Sequence, residues 1–171
     1  RENRPAVLVE GYTDVIACHQ AGQRSAVASM GTALTPEQAR LIKRFTSEAV
    51  FLYDADEAGS KAILRGLEVL VGTGLKVRVG HMPDGEDPDS LAKNQGPEAL
   101  SRVIDEAQPF FDFLLDQAHS RYDLSAPEER VRVLEIFQAV LAAIEENLIR
   151  AGYVTKLPSA LGHEEAQLRT Y

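Results

Sequence analysis

Apolar positions follow two regimes along this chain. In the first half, short apolar runs alternate with amphipathic stretches; in the second, only helical periodicity remains. Residues 6–9, Ala-Val-Leu-Val between Pro5 and Glu10-Gly11, read as a buried strand. Residues 12–21 have a helical pattern that stops at Gly22, a residue suited to closing a helix. A second apolar run covers 26–30. Thr35-Pro36-Glu37-Gln38 then has the layout of a capping box with proline at the first helical position. The helix it opens carries Ala39, Leu41, Ile42 and Phe45. Residues 49–53 predict a third strand. The helix after it places Ile63, Leu67, Leu70 and Val71 on one face and ends at Gly72 and Gly74. In residues 75–79, Leu75, Val77 and Val79 alternate with Lys76 and Arg78, which predicts a partly exposed edge strand.

Repeated strand–helix units imply a parallel, doubly wound sheet with right-handed crossovers. Near-continuous apolar strands fit a sheet covered on both faces. After about Asp89 no further strand is predicted. Residues 97–107, 109–121 and 127–150 read as helices, each opened near a proline. Leu134, Phe137, Leu141, Ile144 and Leu148 form one stripe, as in a packed helical bundle. Residues 152–171 are less regular, and Pro158 is expected to interrupt them. The chain thus divides into an α/β unit over 4–89 and an all-α unit over 90–171.

Of the 171 residues, 44% are hydrophobic and 26% charged, ordinary values for a globular protein. No apolar run approaches the ~20 residues that cross a bilayer, and no basic-then-apolar leader is present. No membrane role and a cytoplasmic location are expected. The chain opens on Arg1, which fits a segment of a longer protein. A single cysteine, Cys18, excludes an internal disulfide framework and a cysteine-built zinc site, and reads as a small buried filler. The formal net charge of -8 argues against non-specific nucleic-acid binding by this segment alone. Carboxylates that hold cations would reconcile the charge with a nucleic-acid substrate.

In open parallel sheets, ligands bind outside the carboxyl ends of the strands. Here Glu10 follows the first strand and Asp54 and Asp56 follow the third. Asp84, Asp87 and Asp89 follow the fourth. Like charges gathered at one edge repel unless a cation or a proton neutralises them. Mg2+ suits such a set, because it takes one or two carboxylates plus waters and substrate phosphates. Each position also has a plain alternative. Asp56 is a fit helix cap, and Asp84-Gly85 and Asp87-Pro88 are ordinary turn chemistry. Gly31 and Thr32 follow the second strand at the same edge, as a phosphate-approaching backbone or only a tight turn. Lys61 and Arg65 read as solvated surface. Among the four histidines, which lack ligand-like spacing, His81 alone lies beside the acidic loop.

Glu10 followed at a later strand end by two aspartates two apart resembles the TOPRIM pattern. That pattern is shared by primases, topoisomerases, some nucleases and recombination-mediator proteins. Four runs narrow the resemblance: Val9-Glu10-Gly11-Tyr12-Thr13-Asp14-Val15, Ala28-Ser29-Met30-Gly31-Thr32-Ala33-Leu34-Thr35, Leu52-Tyr53-Asp54-Ala55-Asp56-Glu57-Ala58-Gly59, and Pro83-Asp84-Gly85-Glu86-Asp87-Pro88-Asp89. In this order and spacing they are similar to motifs of bacterial DnaG-type primases, over roughly residues 4–115. The resemblance implies a TOPRIM sheet flanked by helices, then the helical subdomain of a primase polymerase core.

It further implies Glu10, Asp54 and Asp56 as the main Mg2+ ligands, with Mn2+ as a substitute. Asp87 and Asp89 would support a second metal, and Asp14 is another acidic position near the site. The implied reaction is templated RNA primer synthesis from nucleoside triphosphates on single-stranded DNA. Zinc, a basic template-gripping subdomain and the domain that meets the replicative helicase would lie outside this segment, which is expected to be monomeric and inactive alone. Other readings are a TOPRIM nuclease and a non-catalytic TOPRIM module in DNA-repair assembly. Ala55 stands where the family has glycine, and Thr13 where methionine is common. No protein nucleophile is needed, and Tyr12 and Tyr53 are expected to be packing residues.

Overall fold

A computed structural model describes residues 4–29, 33–53 and 57–161, with the backbone alone for 53 and 57–62. Asp54, Ala55, Asp56, Gly31, Thr32 and His163 lie outside the described residues, and the side chain of Lys61 is likewise not described.

The described strands form one sheet in the order β2-β1-β3-β4-β5. They are β1 (Ala6–Val9), β2 (Ala26–Ala28), β3 (Glu48–Tyr53), β4 (Lys76–His81) and β5 (Gln108–Pro109). The first four are mutually parallel, as the alternation of strands and helices predicts. β5 runs antiparallel and pairs Arg78 with Pro109 and Val79 with Gln108. A strand after Asp89 was not expected, because a two-residue bridge leaves no periodicity to read. β5 also means that β4 is not a bare edge.

The helices are α1 (Tyr12–Gln20), α2 (Pro36–Lys43), α3 (Glu57–Gly72), α4 (Pro88–Gln95), α5 (Pro97–Asp105), α6 (Phe110–Arg121), α7 (Pro127–Ala142) and α8 (Asn147–Ala160). The capping box that opens α2 forms as read: Thr35 Oγ1 accepts from the Gln38 amide at 3.3 Å, and Gln38 Oε1 accepts from the Thr35 amide at 2.9 Å.

Strand residues alternate between two cores. Val7, Val9, Val50 and Leu52 pack with Cys18, Met82, Leu91 and Leu100 beneath α1, α4 and α5. Leu8, Ala49, Val77 and Val79 pack with Ile63, Leu67 and Leu70 of α3 and with Phe111, Phe113 and Phe137 of α6 and α7. Each buried Val, Leu, Ile, Phe or Met among them contributes roughly 1.5–3 kcal/mol through burial. The later helices therefore share the core of the α/β sheet.

The single helix expected over 127–150 is two. α7 ends at Ala142, and Glu145 and Glu146 follow where a helix C-terminus disfavours anions. Arg150 folds back, its guanidinium donating to the Ile144 carbonyl at 3.3 Å and to Asn147 Oδ1 at 2.5 Å. Leu148, assigned by periodicity to the buried stripe, is 82% exposed, because the break restarts the helical phase. α8 then runs through Pro158 instead of stopping there. The proline forfeits one backbone hydrogen bond near the end of the helix, and Tyr153 stacks on Phe111 at 4.8 Å to hold the helix down.

Candidate active site

Among the described residues, Glu10 follows β1, and Asp84, Asp87 and Asp89 follow β4. β1 ends at Val9, and Glu10 is exposed directly beyond it. The β1–β3 register pairs Leu8 with Phe51, so Glu10 and Tyr53 stand level, two residues further along. Asp54 follows Tyr53 in the sequence. His81, at the end of β4, pairs with Tyr53 on the other side.

From the next residue the chain turns into α1. Gly11 is the N-cap, and Asp14 Oδ2 accepts its backbone N–H at 3.0 Å. This single bond goes with a position for Asp14 in the first turn, where the helix dipole favours an anion. Burial nevertheless pushes the Asp14 carboxyl up; the Gly11 hydrogen bond opposes this, and Asp87 and Asp89 add to it. The structure thus brings Asp14, Asp87 and Asp89 within electrostatic reach of one another, across the packing of α1 on α4.

The acidic loop after β4 divides into two roles. The turn at Asp84-Gly85 closes with the Glu86 amide donating to the Pro83 carbonyl at 3.0 Å. Gly85 takes φ +76°, which L side chains rarely adopt. Glu86 accepts from Asn94 Nδ2 at 3.1 Å, tying the loop to the end of α4. Asp87 is the N-cap of α4, with Oδ1 accepting from the Ser90 amide at 2.6 Å. Asp89 lies in its first turn and pairs with Lys93 Nζ at 2.5 Å. Sequence reasoning missed Lys93. Its signal was the four-residue spacing from Asp89 on a helix that opens at Pro88.

Among the described residues, no three His, Cys, Asp or Glu side chains stand close enough to hold a metal ion. The donor chemistry is nonetheless that of a hard cation: the candidates are all carboxylates, and Mg2+ needs only one or two of them from protein. Asp54 and Asp56 lie outside the described residues, as do Gly31 and Thr32. Tyr12, expected to be a packing residue, is instead 62% exposed at the start of α1. Cys18 is fully buried, and its thiol is pushed up to about 12, first by burial and then by Asp14.

A family model described as Toprim-like matches residues 7–92. A second, described as the DnaB-helicase binding domain of primase, matches residues 111–165. That match falls on α6 to α8, inside this chain, whereas a helicase contact was expected in a separate domain beyond it. A DNA primase from Clostridium acetobutylicum is 35% identical over 159 residues, covering 93% of this chain and 26% of that protein. A crystal structure of a DNA primase domain from Pseudomonas aeruginosa superposes with a TM-score of 0.81 at 32% identity, over 96% of this chain and 53% of that one. A DnaG primase catalytic domain bound to ssDNA superposes with a TM-score of 0.74 at 33% identity, over 91% of this chain and 52% of that one. The chain spans about a quarter of the length of the curated relatives it matches.

Proposed function

Since the chain belongs to the Toprim-like family and, within it, to the bacterial DnaG-type primases, we propose that it is the metal-binding part of a polymerase core that makes RNA primers on single-stranded DNA. The observation that carries this reading is the placement of Glu10 at the end of β1, level with the end of β3 that leads into Asp54 and Asp56.

In this reading, Glu10, Asp54 and Asp56 hold Mg2+, and Asp87 and Asp89 support a second ion. A cation held by these carboxylates would supply charge neutralisation for the triphosphate and a lowered pKa for the attacking 3′-hydroxyl. Asp14 fixes the turn that presents Glu10, through its bond to the Gly11 amide. Asp87 fixes the start of α4 and hence the position of Asp89. Lys93 pairs with Asp89 through Oδ2 and would compete with a cation for that oxygen. Gly31 and Thr32 would approach a phosphate through their backbone amides.

The acidic charge of the segment leaves the template grip to a basic region outside it, so the segment alone is expected to be inactive. Any zinc would also sit outside this chain. The helicase partner is a replicative helicase of the DnaB type, to which the match on 111–165 lends support. The setting is the bacterial cytoplasm, at the replication fork.

The test is extension: this segment joined to its basic template-gripping region, given single-stranded template, nucleoside triphosphates and Mg2+, should make short RNA. Glu10→Gln should lower the rate by at least about 10²-fold, as for loss of a group that stabilises transition-state charge. Shortening of a labelled strand would instead indicate a nuclease. Partner binding without either activity would indicate an assembly module.

A further inference from the structure

We infer that the ring of Tyr12 is the platform on which a nucleobase stacks at the carboxylate edge. The inference rests on the nucleotidyl-transfer reading of that edge. Tyr12 is the first residue of α1, two beyond Glu10, and 62% of it faces solvent. Its backbone is not loose, because Asp14 ties down Gly11 immediately before it. One turn further along the helix, Ile16 is also exposed, so the ring continues into an apolar shelf on the outer face of α1. Asp14 and Ala17 form the inner face and are buried.

Location separates this ring from the other prominent exposed aromatic residue. Phe45, 73% exposed, follows the end of α2. Its neighbour Thr46 donates through Oγ1 to the Arg4 carbonyl ahead of β1, at the opposite edge of the sheet. Tyr12 alone of the two stands beside a carboxylate that follows a strand.

The chemistry follows from charge. With a net charge of -8, the chain offers phosphates little attraction of its own. A nucleotide whose phosphates or hydroxyl meet cations at Glu10 needs a neutral surface for its base. A phenol ring provides one, since every base has a π-face, and stacking on an aromatic residue tolerates sequence. The base belongs either to the incoming nucleoside triphosphate or to the nucleic-acid strand.

The experiment compares wild type with Tyr12→Phe, Tyr12→Leu and Tyr12→Ala in the polypeptide that joins this segment to the template-gripping region. It reads KM for nucleoside triphosphates, kcat, the dissociation constant of a single-stranded DNA oligonucleotide, melting temperature, and the quenching of 2-aminopurine placed in the triphosphate or in the strand. Tyr12→Ala and Tyr12→Leu should raise one of the two binding constants by about 5- to 150-fold. Tyr12→Phe should restore it, and the quenching should be lost in the same arm. A change in KM assigns the incoming nucleotide; a change in the DNA constant assigns the strand. The inference is overturned if Tyr12→Ala leaves both constants within about twofold. It is equally overturned if Tyr12→Phe fails as badly as alanine, or if melting temperature falls while both constants hold, which would mean that the ring packs against protein. A wild-type polypeptide that includes the template-gripping region and still makes no primer would sink the nucleotidyl-transfer reading itself, while the quenching arms would still report on stacking.

Discussion

Asp14 Oδ2 accepts the backbone N–H of Gly11 at 3.0 Å, so a carboxylate buried under α1 holds the turn that carries Glu10. The bond favours the charged form; burial and the neighbouring Asp87 and Asp89 disfavour it and prevail, so the carboxyl titrates above its ordinary value. The folded protein therefore binds the Asp14 proton more tightly than the unfolded chain does. Stability from this group is fully present below the unfolded pKa and declines as pH rises through the raised folded value.

Asp14→Asn tests this sign, because the amide oxygen can still accept from Gly11 while the charge is gone. Without divalent metal at about pH 7, Asp14→Asn should match or exceed wild type in urea unfolding. The difference should shrink as pH falls and wild-type Asp14 becomes protonated. Asp14→Ala removes the cap as well and should cost about 1 kcal/mol relative to Asn.

Cys18 is buried, and its thiol is pushed up to about 12. In the native protein at about pH 8 it should resist a disulfide reagent that labels it readily in urea. Because the folded value is raised, the unfolded chain ionises first. Unfolding experiments above the ordinary thiol range should therefore show a loss of stability that Cys18→Ala lacks.

Arg78 ties the end of α5 to the sheet. Nε donates to Glu48 Oε1 at 2.5 Å, and Nη1 reaches the carbonyls of Ile104, Asp105 and Ala107 at 3.2, 3.3 and 3.2 Å. Arg78→Met should cost about 2–3 kcal/mol, because a charged donor is lost and the Glu48 carboxylate loses its partner. Hydrogen exchange should accelerate first over β5 and the end of α5. Lysine, with one point of charge in place of a planar fork, should recover only part of the loss.

Gly80 lies in β4 where α5 presses closest. A Cβ there would meet Leu52 Cδ2 at 2.6 Å and the Val103 carbonyl oxygen at 3.1 Å. Gly80→Ala should destabilise by about 1–3 kcal/mol through overpacking, read as a lower urea midpoint with an unchanged slope.

By itself, the sequence determined the parallel strands, the capped start of α2 and the carboxylates behind strand ends. These depend on local periodicity and turn chemistry, which neighbouring residues specify. Cys18 could be assigned to the interior as a small apolar residue beside Ala17, although Ile16, read on the same face, is exposed. Tertiary structure decided where long-range contacts override local pattern. Leu148 has the right spacing for the stripe of α7 yet faces solvent, because Arg150 captures the Ile144 carbonyl and the helix restarts. β5 forms by backbone pairing with β4, and Arg78 also binds the Ala107 carbonyl just before it. Lys93 became part of the site once Pro88 opened α4 and set it one turn from Asp89. Tyr12 carries the composition of a core residue, but its position at the first turn of α1, on the face away from Asp14 and Ala17, leaves it in water at the edge where the chemistry is proposed.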